Sequence, residues 1–208
     1  MNIREAYDDY IMQLKVIENK SLNTIESYQR NLNVYLKYLN DHAITNMEQI
    51  HVQIVENFLM TYMDTHAAAS GNQMLSCIKG FHAYTVLNHP TIKDPAVSIR
   101  GFQQSKHLPV YCTKQDLETL FASFDQSDKG IYEKTILEVL YGCGLRVSEL
   151  CTLTTNQIHY DQKILRIHGK GDKERIVPIA KACIDQMKLY QDLVRRQWLT
   201  NRTALFFI

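Results

Sequence analysis

Two short stretches gather the side chains that could act on a phosphate. The first is Gly142-Cys143-Gly144-Leu145-Arg146-Val147-Ser148-Glu149-Leu150, and the second is Gly169-Lys170-Gly171-Asp172-Lys173-Glu174-Arg175. Two glycines let the backbone turn sharply just before Arg146. Short, stiff connections then hold a guanidinium whose planar fork can take two phosphate oxygens at once. Alone, such a residue is more often a surface arginine paired with Glu149 or another acid. Lys170 sits between glycines, where little crowds its amine, so it can reach a bound phosphate. Taken alone, lysine and glycine more often simply suit an exposed turn. From Arg166 to Arg175 four basic residues stand against two acidic ones, Asp172 and Glu174, with Lys173 and Arg175 adding to the positive side.

Other chemistries find less support. The five cysteines, Cys77, Cys112, Cys143, Cys151 and Cys183, are odd in number and form no Cys-x-x-Cys pair. They read as free thiols of a reducing compartment, neither a disulfide frame nor a zinc site. The eight histidines include no His-Glu-x-x-His, so no metal site is expected. No apolar run approaches the roughly 18 residues that span a bilayer, and the N-terminus lacks the basic-then-apolar pattern of a signal peptide. The expectation is a cytoplasmic protein without a membrane partner. A formal net charge of +1 does not announce a nucleic-acid binder. Residues 1–88 carry six Lys/Arg and nine Asp/Glu, whereas residues 89–208 carry seventeen and thirteen. Any surface facing an anionic polymer is then a local patch, stronger in the second half.

The elements that must position these residues follow from periodicity. Tyr7, Tyr10, Ile11, Leu14 and Ile17 recur at helical spacing, and Asn19-Lys20-Ser21 ends that run. A second helix is predicted from about Thr24 to Leu39, on the stripe Ile25, Tyr28, Leu32, Tyr35, Leu36 and Leu39. Thr45 or Asn46 could cap a third, with Val52, Val55, Phe58, Leu59 and Tyr62 inward. A fourth runs from about Ser70 to Leu87. Four amphipathic helices with short joints make a small bundle over residues 1–88. His89-Pro90 ends it. Residues 89–110, with Pro95, Gly101 and Pro109 and no clear period, read as a linker. In residues 111–208, Thr113 can cap a helix reaching Phe124, and another spans Tyr132 to Tyr141. The period then changes. Lys163 to His168 alternates like a half-buried strand, Arg175 to Ile179 looks like its partner, and residues 169–174 form the hairpin tip. Ala180 to Trp198 is again helical. The apolar end, Ala204-Leu205-Phe206-Phe207-Ile208, is expected to be an interrupted core, with weak protection after about residue 180.

The combination Gly-x-Gly-Leu-Arg-x-Ser-Glu-Leu, then Gly-Lys-Gly-x-Lys-x-Arg 24 residues on from Arg146 to Lys170, resembles the tyrosine recombinases, the phage-integrase family, most of all those of the Xer type. Ile176-Val177-Pro178-Ile179 resembles the strand after the family's hairpin lysine. Ser21-x-x-Thr24-x-x-x-Tyr28 is similar to the opening of a helix in its core-binding domain. The resemblance implies a mainly α fold. A four-helix, SAM-like core-binding domain would precede a C-terminally truncated α+β catalytic domain with a small antiparallel sheet. It implies a C-shaped clamp on double-stranded DNA, a tetramer with homologous recombinase subunits, and strand exchange through a 3′-phosphotyrosine with neither metal nor other cofactor. Arg146 would be the first catalytic arginine and Lys170 the general acid. Glu149 would support them without a chemical step of its own. Lys173 and Arg175, and on the fourth helix Asn72, Gln73, Ser76 and Lys79, would contact DNA. The family's His-x-x-Arg and its nucleophilic tyrosine have no counterpart in these residues. Tyr190, the last tyrosine, is expected to be a packing or surface residue. The chain is therefore expected to be inactive alone. A non-catalytic DNA-site-binding remnant is the alternative, and a helical protein-interaction module a more distant one.

Overall fold

The computed structural model describes residues 1–103, 110–168 and 174–208, and the chain divides into two compact units, Met1–Leu108 and Pro109–Ile208. The fold is mainly α, with one small antiparallel sheet in the second unit.

In the first unit, α1 (Ile3–Met12) opens where the Asn2 side chain accepts from the Arg4 amide at 2.8 Å. It runs on through a π turn, Gln13–Ile17. Helix α2 (Leu22–Asp41) starts two residues before its predicted position, because Ser21 accepts from the Thr24 amide and serves as the cap. Helices α3 (Val52–Met63) and α4 (Ala68–Asn88) complete the bundle. The stripes meet in one core around Leu32, Tyr35, Leu39, Val55, Phe58, Met74, Ile78 and Phe81. One polar pair lies inside it, with Tyr35 Oη and His82 Nε2 3.2 Å apart. Burial keeps that imidazole neutral, its pKa pushed down to about 3.

The linker expected over residues 89–110 is in its first half part of this core. Ile92 and Ala96 are buried, and Ile99 and Phe102 pack against the same cluster. Asn72 on α4 clamps the segment. Its Nδ2 donates to the Phe102 carbonyl at 2.9 Å and its Oδ1 accepts from the Phe102 amide at 2.7 Å. Gly71 makes room, since a Cβ there would lie 2.9 Å from the Phe102 ring. The apolar residues of this stretch are spaced too irregularly to signal burial. What holds them is a surface offered by a helix that ends before the stretch begins.

In the second unit, Thr113 and Asp116 cap α5 (Lys114–Ser123) reciprocally. Helix α6 (Asp128–Cys143) ends at Gly144, whose φ of +59° is the left-handed cap conformation glycine accepts without strain. A short helix, α7 (Val147–Cys151), follows. Three strands then pair antiparallel in the order β1 (Ile158–His159), β2 (Ile164–His168) and β3 (Glu174–Pro178). The two-residue β1 is too short to leave a pattern in the sequence. The β2–β3 register runs from Ile164↔Pro178 to His168↔Glu174. Leu165 and Ile167 face the core, against α8 (Lys181–Leu189) and the π turn Tyr190–Arg195 that extends it.

The expectation of a poorly covered end is met only in part: Leu205 stays exposed, but the two phenylalanines after it do not. Phe206 is fully buried and Phe207 nearly so. The Thr155 amide donates to the Ala204 carbonyl at 2.8 Å, and the Phe206 amide to the Leu153 carbonyl at 2.7 Å. Arg195 completes the seat. Its buried guanidinium donates to the carbonyls of Thr203, Leu205 and Phe206 at 2.6–3.2 Å. Arg195 is thus an internal clasp, and in the core it closes Phe207 stacks on Tyr190 while Phe206 meets it edge-on.

Candidate functional site

The turn between α6 and α7 sets the site. Leu145, buried beside the left-handed Gly144, pins the turn to the core. Arg146 follows as the residue that precedes the first turn of α7. Three positions on, Glu149 reaches back, and its Oε2 accepts from the Arg146 backbone amide at 2.8 Å. This is the acidic half of a capping box, stabilising the N-terminus of a helix too short to hold itself. Glu149 Oε1 also accepts from the Arg146 guanidinium at 2.9 Å. The Arg146 side chain nonetheless remains 73% exposed. It is tethered through one nitrogen and open to solvent elsewhere.

A second arginine grips the same carboxylate. Arg175 Nη1 donates to Glu149 Oε1 at 2.6 Å and Nη2 to Oε2 at 2.7 Å. Glu149 is buried beneath these partners. With two donors on each oxygen, its carboxyl is held down to about 2, chiefly by Arg175 and then by Arg146. Glu149 in turn raises the Arg175 pKa. Alternation along β3 explains the meeting. Arg175 pairs with the buried Ile167 and so points toward the core side, while Arg166 and His168 on β2 point outward. Arg175, expected on a DNA-facing surface, therefore has both terminal nitrogens committed to Glu149. From the sequence Glu149 is readable as a partner for Arg146, and Arg175 is not. The signal available was the two-residue period that puts Arg175 on the same face as Ile167.

Lys170 and Lys173 lie outside the described residues. Their covalent neighbours are placed, since the five residues 169–173 join His168 to Glu174, the last pair of the β2–β3 ladder. On α4, Asn72 is hydrogen-bonded through both ends of its amide to the Phe102 backbone. Gln73 and Ser76 are exposed and Lys79 half-buried, and Gln73 Nε2 donates to Ser27 Oγ at 2.9 Å. Tyr190 is fully buried among Tyr132, Phe206 and Phe207, and burial raises its pKa. Among the described residues no three His, Cys, Asp or Glu side chains are grouped to hold a metal ion. No helix among them is long and apolar enough to cross a membrane. Cys77, Cys143 and Cys183 are buried free thiols; Cys112 and Cys151 are exposed ones.

Known proteins are similar to this chain in sequence and in fold. Residues 111–207 match the phage integrase family and residues 7–89 the phage integrase N-terminal SAM-like domain. The tyrosine recombinase XerD of Staphylococcus aureus is 31% identical over 204 residues, which are 97% of this chain and 69% of that protein. XerD of Staphylococcus epidermidis is 32% identical over 203 residues, with 96% and 69% covered. In fold, the chain is similar to a lambda integrase tetramer bound to a Holliday junction, at TM-score 0.74, 15% identity, and 99% and 59% coverage. It is also similar to the XerH site-specific recombinase bound to a palindromic difH substrate, at TM-score 0.71, 19% identity, and 91% and 58% coverage. Both units, and the Arg146 and Lys170 motifs within the second, thus fall inside one lineage: the chain belongs to the tyrosine recombinases of the phage integrase family.

Proposed function

We propose that this chain is a DNA-binding recombinase subunit that engages a backbone phosphate through Arg146 and Lys170 and does not by itself complete strand cleavage. The observation that carries the reading is Arg146. Its backbone and one guanidinium nitrogen are fixed by Glu149, yet most of its fork is open to solvent. A pre-positioned cation of this kind stabilises charge on nonbridging phosphate oxygens as a transition state develops. Lys170, in the connection between β2 and β3, would supply the proton to the departing 5′-oxygen. A tyrosine hydroxyl is the attacking group in this chemistry. The buried Tyr190 cannot present one, and the 208 residues contain no His-x-x-Arg. Neither metal nor other cofactor enters this reading.

On α4, Gln73, Ser76 and Lys79 are the groove-contact candidates, while Asn72 is hydrogen-bonded to the Phe102 backbone. XerH bound to its difH substrate and the lambda integrase tetramer on a Holliday junction support duplex DNA and homologous subunits as partners; a cytoplasmic location is part of the same proposal. Fluorescence anisotropy with a generic labelled duplex tests the proposal. Affinity should fall steeply between low and moderate salt, because most contacts go to phosphates. Affinity that ignores salt, or none at low salt, would sink it.

A further inference from the structure

We infer that Arg175 is a positioning residue, which aims Arg146 by fixing Glu149 and ties the start of β3 to the turn before α7. The inference rests on reading Arg146 and Lys170 as the phosphate-engaging pair, and it gives Arg175 a role other than DNA contact. Both terminal nitrogens of Arg175 are spent on Glu149, at 2.6 and 2.7 Å. Glu149 is buried and takes two donors on each oxygen. Without Arg175, the Glu149 carboxylate would lose the bidentate partner that fixes its plane, and the Arg146 guanidinium would lose the fixed acceptor that aims it.

Position in the chain gives the pair its wider consequence. Arg175 is the second residue of β3, directly after the connection that carries Lys170. Glu149 lies on α7, which Arg146 opens. One bidentate bond therefore joins the start of β3 to the short helix that Arg146 opens, across 26 residues of sequence. Two parallel bonds also fix an angle as well as a distance, which a single ammonium cannot do. The alternation that places Arg175 inward, opposite Ile167, makes the contact a property of the strand register.

The test uses the whole chain with Arg175→Lys, which keeps the charge and removes the fork, and Arg175→Gln, which removes both. In DNA-free protein, 15N relaxation of the Arg146 Nε–H group reports its order. The native chain should give an ordered signal and both variants a mobile one, with native backbone amide spectra. An unchanged Arg146 signal in both variants overturns the inference. Mobility in the Gln variant alone shows that charge suffices and overturns the role of the fork. Loss of the native amide spectrum in both would mark Arg175 as holding the unit together instead of aiming Arg146, and would overturn the inference too.

A cycle on a generic duplex adds a functional readout. Arg175→Lys should weaken binding about tenfold in the native background and less than about twofold beside Arg146→Gln, the non-additivity of directly coupled residues. Equal losses in both backgrounds would show that Arg175 touches DNA itself. If the native chain binds no duplex, the phosphate reading fails, and the relaxation experiment still decides the role of Arg175.

Discussion

Glu149 shows how one carboxylate can organise a site without touching a substrate. Its folded pKa, about 2, lies below the ordinary carboxyl value. The stability it contributes is therefore complete above about pH 4.5 and is lost as pH falls toward 2. Glu149→Gln leaves two arginines facing a neutral amide and should cost about 2–4 kcal/mol near neutrality. The gap between native and variant melting temperatures should narrow as pH falls below about 4.5 and close only near and below pH 2; a gap that stays at full size there would show that the charge is not the source. Half of this arrangement was legible in the sequence. Arg146 and Glu149 stand three apart at a helix start, a spacing that capping makes readable. Arg175 was legible only as a basic residue near a hairpin, because its partner is set by strand register. A slip of one residue would turn its side chain to the opposite face.

Among the elements, the helices of the first unit were plain from their stripes, and α2 begins two residues before Thr24 because Ser21 caps it. Residues 92–102 were not legible, since nothing periodic marks a segment that packs one side chain at a time. The fragment 1–103 should accordingly melt well above 1–88, by about 3 kcal/mol for the loss of Ile92, Ala96 and the Phe102 clamp. Equal stability in thermal denaturation would mean that the segment rests on the bundle without supporting it. At the other end, Arg195→Met should release the last residues. Hydrogen exchange should then show the Thr155 and Phe206 amides, whose acceptors lie across that seam, losing protection by a factor of about a hundred, for clasp bonds worth about 1 kcal/mol or more each. Unchanged protection would show that Phe206 and Phe207 hold the seam alone.

For the whole molecule, the charge distribution fits a local phosphate-binding patch better than a global one. The net charge is +1, yet residues 89–208 hold seventeen Lys/Arg against thirteen Asp/Glu. The lineage was legible because two motifs fall 24 residues apart from Arg146 to Lys170. The division into Met1–Leu108 and Pro109–Ile208 was only roughly legible, since the residues after Pro90 carry no composition of their own. With Tyr190 buried, the chain should form no covalent adduct with a pool of nicked genomic duplex fragments on a denaturing gel. A shifted band abolished by Tyr190→Phe would show that this tyrosine reaches DNA after all. The central claim, that Arg146 and Lys170 meet backbone phosphate, is tested most directly by salt titration of duplex binding for the native chain and for the Arg146→Gln, Lys170→Gln double variant. The account predicts that the slope of log affinity against log salt becomes shallower by about 2, close to one unit per lost phosphate contact. An unchanged slope in a folded variant would contradict it.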